Sequence, residues 1–273
     1  MENYILIGTT KIWTTISDNV NYNKPYICLC GGGPGIGDSL VKIDDLIYKY
    51  FNVIRFEQRG CGRSTNDNNY SIETVLEDLD RIRKFYQINS WYLLGHSWGA
   101  GIALFYSLKY TEHCNGVIYI SGMGIQNDSD WTDEFNNNIK SLNEPEIKLP
   151  DDFKINYDVL NTGLRSFRNY IKQPMLLKTI SLLNIPVLIL YGDQDIRPMW
   201  PTIQLSNLLP NCKMHILMGC NHFPWLQKPN ELIDLVVVWL KTIEKGIKIL
   251  NEKSSEHFRQ LFPCIGMPPQ FSS

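Results

Sequence analysis

The chain has 273 residues, 44% hydrophobic and 20% charged, with a formal net charge of −2 and a sequence pI near 6.2. That length and composition suit one large domain with a substantial core. The near-neutral charge argues against nucleic acid or an anionic membrane as partner. Apolar runs such as "LVVVWL" at 235–240 fall far short of the roughly 20 residues of a membrane helix, so no membrane partner is expected.

The start, "MENYILIGTTKIW", has no basic stretch and no small-residue cleavage site. No signal peptide is read there, and a cytoplasmic location is expected. Seven cysteines without a repeating pattern read as buried free thiols in a reducing compartment.

In chain order, "YILIG" (4–8) and "KIWTTIS" (11–17) predict an opening hairpin. Six short, mostly apolar runs follow: "YICLC" (26–30), "FNVIRF" (51–56), "WYLLG" (91–95), "GVIYIS" (116–121), "PVLILYG" (186–192) and "CKMHILM" (212–218). Strands buried on both faces of a parallel sheet read this way. Between them, Ile72, Val75, Leu76, Leu79, Ile82 and Phe85 recur at helical spacing after Ser71, a plausible N-cap. Residues 98–110 and 229–245 also suit helices.

The alternation predicts an α/β core, a mostly parallel sheet flanked by helices, over 1–122 and 183–245. Residues 123–182 are rich in Asn, Asp and Glu and contain no strong strand. They are expected to form a small helical cap inserted after the sixth strand. The tail, 246–273, carries three prolines that exclude a long helix near the end, and its structure stays open.

The stretch "WYLLGHSWGAGIALFY" (91–106) sets Ser97 between Gly95 and Gly99. Gly-x-Ser-x-Gly should arise about 0.1 times by chance at this length, so the five residues alone are weak evidence. Context strengthens them: a buried-looking strand precedes, and a helix opening on small residues follows. A sharp strand-to-helix turn would lift the serine hydroxyl above the sheet as a nucleophile.

Such a serine needs a base, and the base needs an orienting acid. His222 in "GCNHFPW" and Asp195 in "GDQDIRP" follow later strands in the order serine, acid, histidine. Asp193 reads as a turn or capping residue. The glycine-rich loop "CGGGPGIGDS" (30–39) follows the third strand, where Gly33 and the helix-starting Trp98 would offer backbone N–H groups to an oxyanion. Neither G-x-G-x-x-G nor G-x-x-x-x-G-K-[ST] occurs there, which argues against a nucleotide. This chemistry calls for no cofactor and no metal.

Together these motifs resemble the α/β-hydrolase fold, and within it the proline iminopeptidase group. The matching stretches are "GGGPG" (31–35), "EQRGCGRS" (57–64), "GHSWGA" (95–100), "GDQD" (192–195) and "GCNHFPWLQKP" (219–229), spread over roughly 25–122 and 185–240. The resemblance implies Ser97 as nucleophile, His222 as general base and acid, Asp195 as orienting carboxylate, and Gly33 and Trp98 as oxyanion donors. It also makes "EQRGCGRS" a structural loop, with Arg59 and Arg63 ion-paired or solvated.

Three features depart from the group: Gly31 stands where its members usually have histidine, Glu57 where they have aspartate, and the cap is shorter. The group's acidic cap residues bind the substrate's amino terminus, which makes Glu134, Glu144 and Glu146 candidates here, with plain surface exposure the favoured reading for each. Trp131, Phe135, Phe153, Tyr157, Phe167 and Tyr170 are expected either to line an apolar substrate pocket, with Trp131 in contact, or to pack within the cap. The implied partner is a short peptide or small molecule, and the implied reaction removes an N-terminal proline. An esterase, amidase or lactonase, a lyase on the same fold, or a slow receptor remain alternatives.

Overall fold

The computed structural model describes residues 1–142, 154–243 and 245. Two compact units divide the chain at 233/234. In the second, residues 234–243 and 245 are helical.

The first unit is built on an eight-stranded sheet in the order β1-β2-β4-β3-β5-β6-β7-β8. The strands are β1 (Glu2–Ile7), β2 (Thr10–Ile16), β3 (Tyr26–Cys30), β4 (Asn52–Phe56), β5 (Trp91–His96), β6 (Cys114–Ile120), β7 (Val187–Gly192) and β8 (Cys212–Leu217). β1 and β2 form the expected hairpin around Gly8, which sits at φ +62°. β2 joins β4 antiparallel, and every later pairing is parallel.

All six residues of β5 and all six of β7 are buried. A central parallel strand, covered on both faces, has no need to alternate. β8 departs from that expectation, because Lys213, His215 and Ile216 are exposed. As the last strand it has a neighbour on one side only.

The described helices of the first unit include α1 (Val41–Ile47), α2 (Ile72–Phe85), α3 (Trp98–Lys109), α4 (Ser129–Ser141), α5 (Tyr157–Tyr170), α6 (Leu176–Ser181), α7 (Trp200–Leu208) and the short α8 (Pro224–Gln227), with a 3-10 turn at Thr111–His113, and residues 229–233 are helical as well. Ser71 caps α2 by accepting from the Thr74 N–H, and the expected apolar stripe is buried. Phe85, in the last position, is the exception: it is 48% exposed and lies edge-on to Tyr86.

α4, α5 and α6 occupy the 123–182 segment that sequence predicted to be helical. α5 is amphipathic, burying Val159, Gly163 and Phe167. Phe167 and Tyr170 pack with tilted rings against Phe105 of α3, at 5.3 and 4.2 Å between ring centroids.

Sheet order carries the functional consequence. From β3 the chain steps one way to β4, then crosses back to place β5 on the other side of β3. Such a reversal leaves a crevice outside the carboxyl ends of the two strands, where open α/β sheets place their sites. Residues 31–36 and 97–98 emerge into it.

Candidate active site

Ser97 is the turn between β5 and α3, at φ 55° and ψ −120°. That conformation strains any residue but glycine, at a cost on the order of 1–3 kcal/mol. Its surroundings enforce it. The Ser97 N–H donates to the Ile120 carbonyl at 2.9 Å, locking the turn onto the end of β6. A side chain on Gly95 would strike the backbone of Gly99 and Ala100, and one on Gly99 would strike the carbonyls of Cys30 and Gly31. Both glycines are therefore required by close approach of main chain, as the motif implied.

The loop 31–36 runs beside this turn. Gly33 and Gly35 are at φ +62° and +89°. Among the described residues, neither the Gly33 N–H nor the Trp98 N–H is taken by another hydrogen-bond acceptor. The loop is braced from two sides. Asn156, the N-cap of α5, donates its backbone N–H to the Gly35 carbonyl and its Nδ2 to the Gly60 carbonyl, both at 2.9 Å. Glu57, buried, accepts from the Asp38 N–H at 3.0 Å and pairs with Arg63 at 2.9 Å.

The structure brings His222 and Asp195 together from the loops after β8 and β7. His222 Nδ1 lies 2.6 Å from Asp195 Oδ2, and neither side chain is appreciably exposed. The other oxygen, Oδ1, accepts from the Arg197 N–H at 2.9 Å and from Arg197 Nη1 at 3.1 Å. Burial opposes ionisation of Asp195, but the charge and hydrogen bond of His222, with Arg197 behind them, hold the carboxyl below its ordinary value. Asp195 is thus an anion at neutral pH.

Asp193 takes the turn role expected of it. It accepts from the Cys220 N–H at 3.2 Å and so joins the two loops.

Sequence reasoning passed over His96. It is buried between the loops, with Nε2 3.0 Å from the His222 carbonyl and its ring 4.6 Å from that of His222. Its position next to Ser97 was the only signal. Asn156 and Glu57 were missed as braces for the same reason: their partners are remote in sequence.

Of the candidate substrate contacts, Trp131 and Glu134 share one face of α4 with Phe135 and Asn138. Trp131 stacks on Phe135 at 5.1 Å, and its buried indole N–H has no hydrogen-bond partner among the described residues. Asn138 donates to the carbonyl of Ile196, the neighbour of Asp195, at 3.2 Å, bringing this face to the loop that carries the acid. Glu144, Glu146 and Phe153 lie outside the described residues, as does the tail from 246 onward. Phe167 and Tyr170 pack within the body rather than lining a pocket, and Tyr157 is exposed.

Arg59 and Arg63 are ion-paired, Arg59 with Asp67 and Asp78 and Arg63 with Glu57, while the Arg63 guanidinium lies 3.2 Å over the Trp13 ring. No helix among the described residues is long and apolar enough to cross a membrane.

A family model for the alpha/beta hydrolase fold matches residues 25–144, and the sheet and its flanking helices show that this is the fold of the chain. In sequence the chain resembles proline iminopeptidases. It is 34% identical to that of Saccharolobus solfataricus over 126 residues, 45% of this chain and 41% of the relative. It is 23% identical to that of Lactobacillus helveticus over 266 residues, 80% of this chain and 90% of the relative. The first of these matches thus spans under half of the relative's length. Among solved structures, the proline iminopeptidase of Mycobacterium smegmatis superposes with a TM-score of 0.71 at 14% identity, over 90% of this chain and all of that one.

Proposed function

We propose that the protein is a serine hydrolase that acts by acyl transfer through Ser97, His222 and Asp195. The observation that carries this reading is the buried His222–Asp195 pair, 2.6 Å apart, on loops that meet beside the strained turn of Ser97. Hydrolysis begins when His222 takes the Ser97 proton and the serine oxygen attacks an ester or amide carbonyl. Asp195 fixes the imidazole tautomer, with its proton on Nδ1, and stabilises the imidazolium that forms. The Gly33 and Trp98 N–H groups receive the oxyanion, at a helix N-terminus that favours negative charge. His222 then protonates the leaving group, and a water that it activates releases the acyl group.

For the substrate, the resemblance to proline iminopeptidases supports removal of N-terminal proline from short peptides. Glu134 would then face the substrate's ammonium, and Trp131 the ring. A second reading, an esterase on a small apolar acyl group, is favoured by the apolar Trp131–Phe135 stack on the same face of α4. The two separate on paired substrates: L-proline β-naphthylamide and p-nitrophenyl acetate, each with wild type and Ser97→Ala. Proline amide turnover lost in the variant supports the peptidase, and ester turnover alone discards it. If both substrates stay untouched by folded wild type, a narrow-specificity lyase or a slow receptor on the same fold becomes the better reading.

A further inference from the structure

We propose that His96 is a positioning residue that ties the loop of the base, His222, to the strand that ends at Ser97 and to the oxyanion loop. This rests on the acyl-transfer reading above and deepens it. One imidazole meets three parts of the site. It is bonded in sequence to Ser97. Its Nε2 lies 3.0 Å from the His222 main-chain carbonyl. A carbonyl only accepts, so Nε2 must carry the proton and donate. The Nδ1 side turns to the glycine-rich loop, where a Cβ built on Gly32 would lie 2.6 Å from Nδ1.

The ring is clamped as well as bonded. It packs at 4.6 Å on the His222 ring, at 5.3 Å on Phe223 and edge-on at 4.6 Å to Trp225. Gly32 explains why the loop carries glycine there: any side chain would push the imidazole off His222. Burial, and then the charges of His222 and Arg197, keep the His96 ring neutral. The remaining basic nitrogen, Nδ1, faces the glycine-rich loop and burial opposes its protonation, so it does not compete with His222 for the role of base.

The consequence is geometric. Proton transfer between Ser97 and His222 depends on the separation of two loops from different strands, and a misplacement of about 1 Å costs on the order of a hundredfold in rate. Asp195 orients the His222 ring from behind, through Nδ1, whereas His96 holds the main chain that carries it.

The test uses the full-length protein and p-nitrophenyl acetate. His96→Phe keeps an aromatic ring without the donor, and His96→Gln returns an N–H near the place of Nε2. Expected is a loss of about tenfold or more in kcat for His96→Phe with KM within about twofold, and recovery to within about threefold for His96→Gln. Wild-type kcat in His96→Phe, a loss confined to KM, or a glutamine variant no better than phenylalanine would overturn the tie.

Imidazole nitrogen NMR of the wild type at neutral pH keeps the question open to test where a variant does not fold. His96 neutral with its proton on Nε2 is expected, and a proton on Nδ1 refutes the proposal. A folded wild type inert to both the ester and L-proline β-naphthylamide counts against the hydrolase reading instead, and the NMR result then decides the tie by itself.

Discussion

Every residue of β5 and β7 is buried, whereas α4 buries none of its thirteen. The strand ends carry Ser97 and the approach to Asp195; α4 carries Trp131 and Glu134. Where main chain meets main chain, as at Gly95 and Gly99, geometry is held by contacts that no side chain may enter. On α4 the half-buried face touches the body through single bonds such as Asn138 to Ile196. On the proposed reading, chemistry would sit at the rigid carboxyl ends of these strands and substrate selection on the looser helix. Substitutions at the edge should cost activity by orders of magnitude, and substitutions on α4 should trade one substrate for another.

The largest effect is expected at the nucleophile. Ser97→Ala should lower kcat by about a thousandfold or more while leaving the fold intact, measured as ester turnover beside circular dichroism. A residual rate above that level would move the chemistry away from the turn. Asp195→Asn should lower kcat by about a hundredfold to ten-thousandfold, since the amide cannot hold His222 in the same tautomer. A change in KM alone would mean that Asp195 serves the loop and not the imidazole.

Gly99→Ala tests the edge as structure. The added methyl meets the carbonyls of Cys30 and Gly31, and backbone cannot swing aside. A loss of about 3 kcal/mol or more in chemical denaturation is expected. A variant within about 0.5 kcal/mol of wild type would show that the turn relaxes easily.

The pH dependence of stability has a definite sign. The folded His96 has its pKa well below the ordinary value of 6.5. As pH falls below 6.5 the unfolded chain binds a proton there that the folded chain does not, so stability declines with falling pH. The contribution approaches one proton, about 1.4 kcal/mol per pH unit, and its removal in His96→Gln should flatten the denaturation midpoint between pH 6.5 and 5. Equal slopes in the two proteins would place a charged, solvated His96 in the folded state. The smallest effect is reserved for α4: Trp131→Ala should leave stability within about 1 kcal/mol while raising KM severalfold. A large loss of stability would make Trp131 a core residue instead.

Much of the edge was legible because its constraints are local. Gly-x-Ser-x-Gly after a continuous apolar run identified β5, the turn and α3, and the order of Asp195 and His222 followed strand by strand. Three helices escaped, among them the four-residue α8. α1 is short, at seven residues, and α7 opens on Trp200-Pro201 without an apolar stripe. β8 was read as doubly buried because edge position is a property of sheet order and not of composition. His96, Glu57 and Asn156 act through partners 126, 19 and 96 residues away. A linear pattern does not encode such distances. The 123–182 segment was legible only as helical, since polar residues of α4 such as Asp133, Asn136 and Asn137 face solvent and leave few contacts to reason from.

The most direct test is covalent. Folded wild type, treated with a fluorophosphonate and digested, should carry one label per chain, mapped by mass to the peptide containing Ser97, and Ser97→Ala should carry none. A wild type that stays unlabelled, or a variant that still takes the label, would contradict Ser97 as the nucleophile.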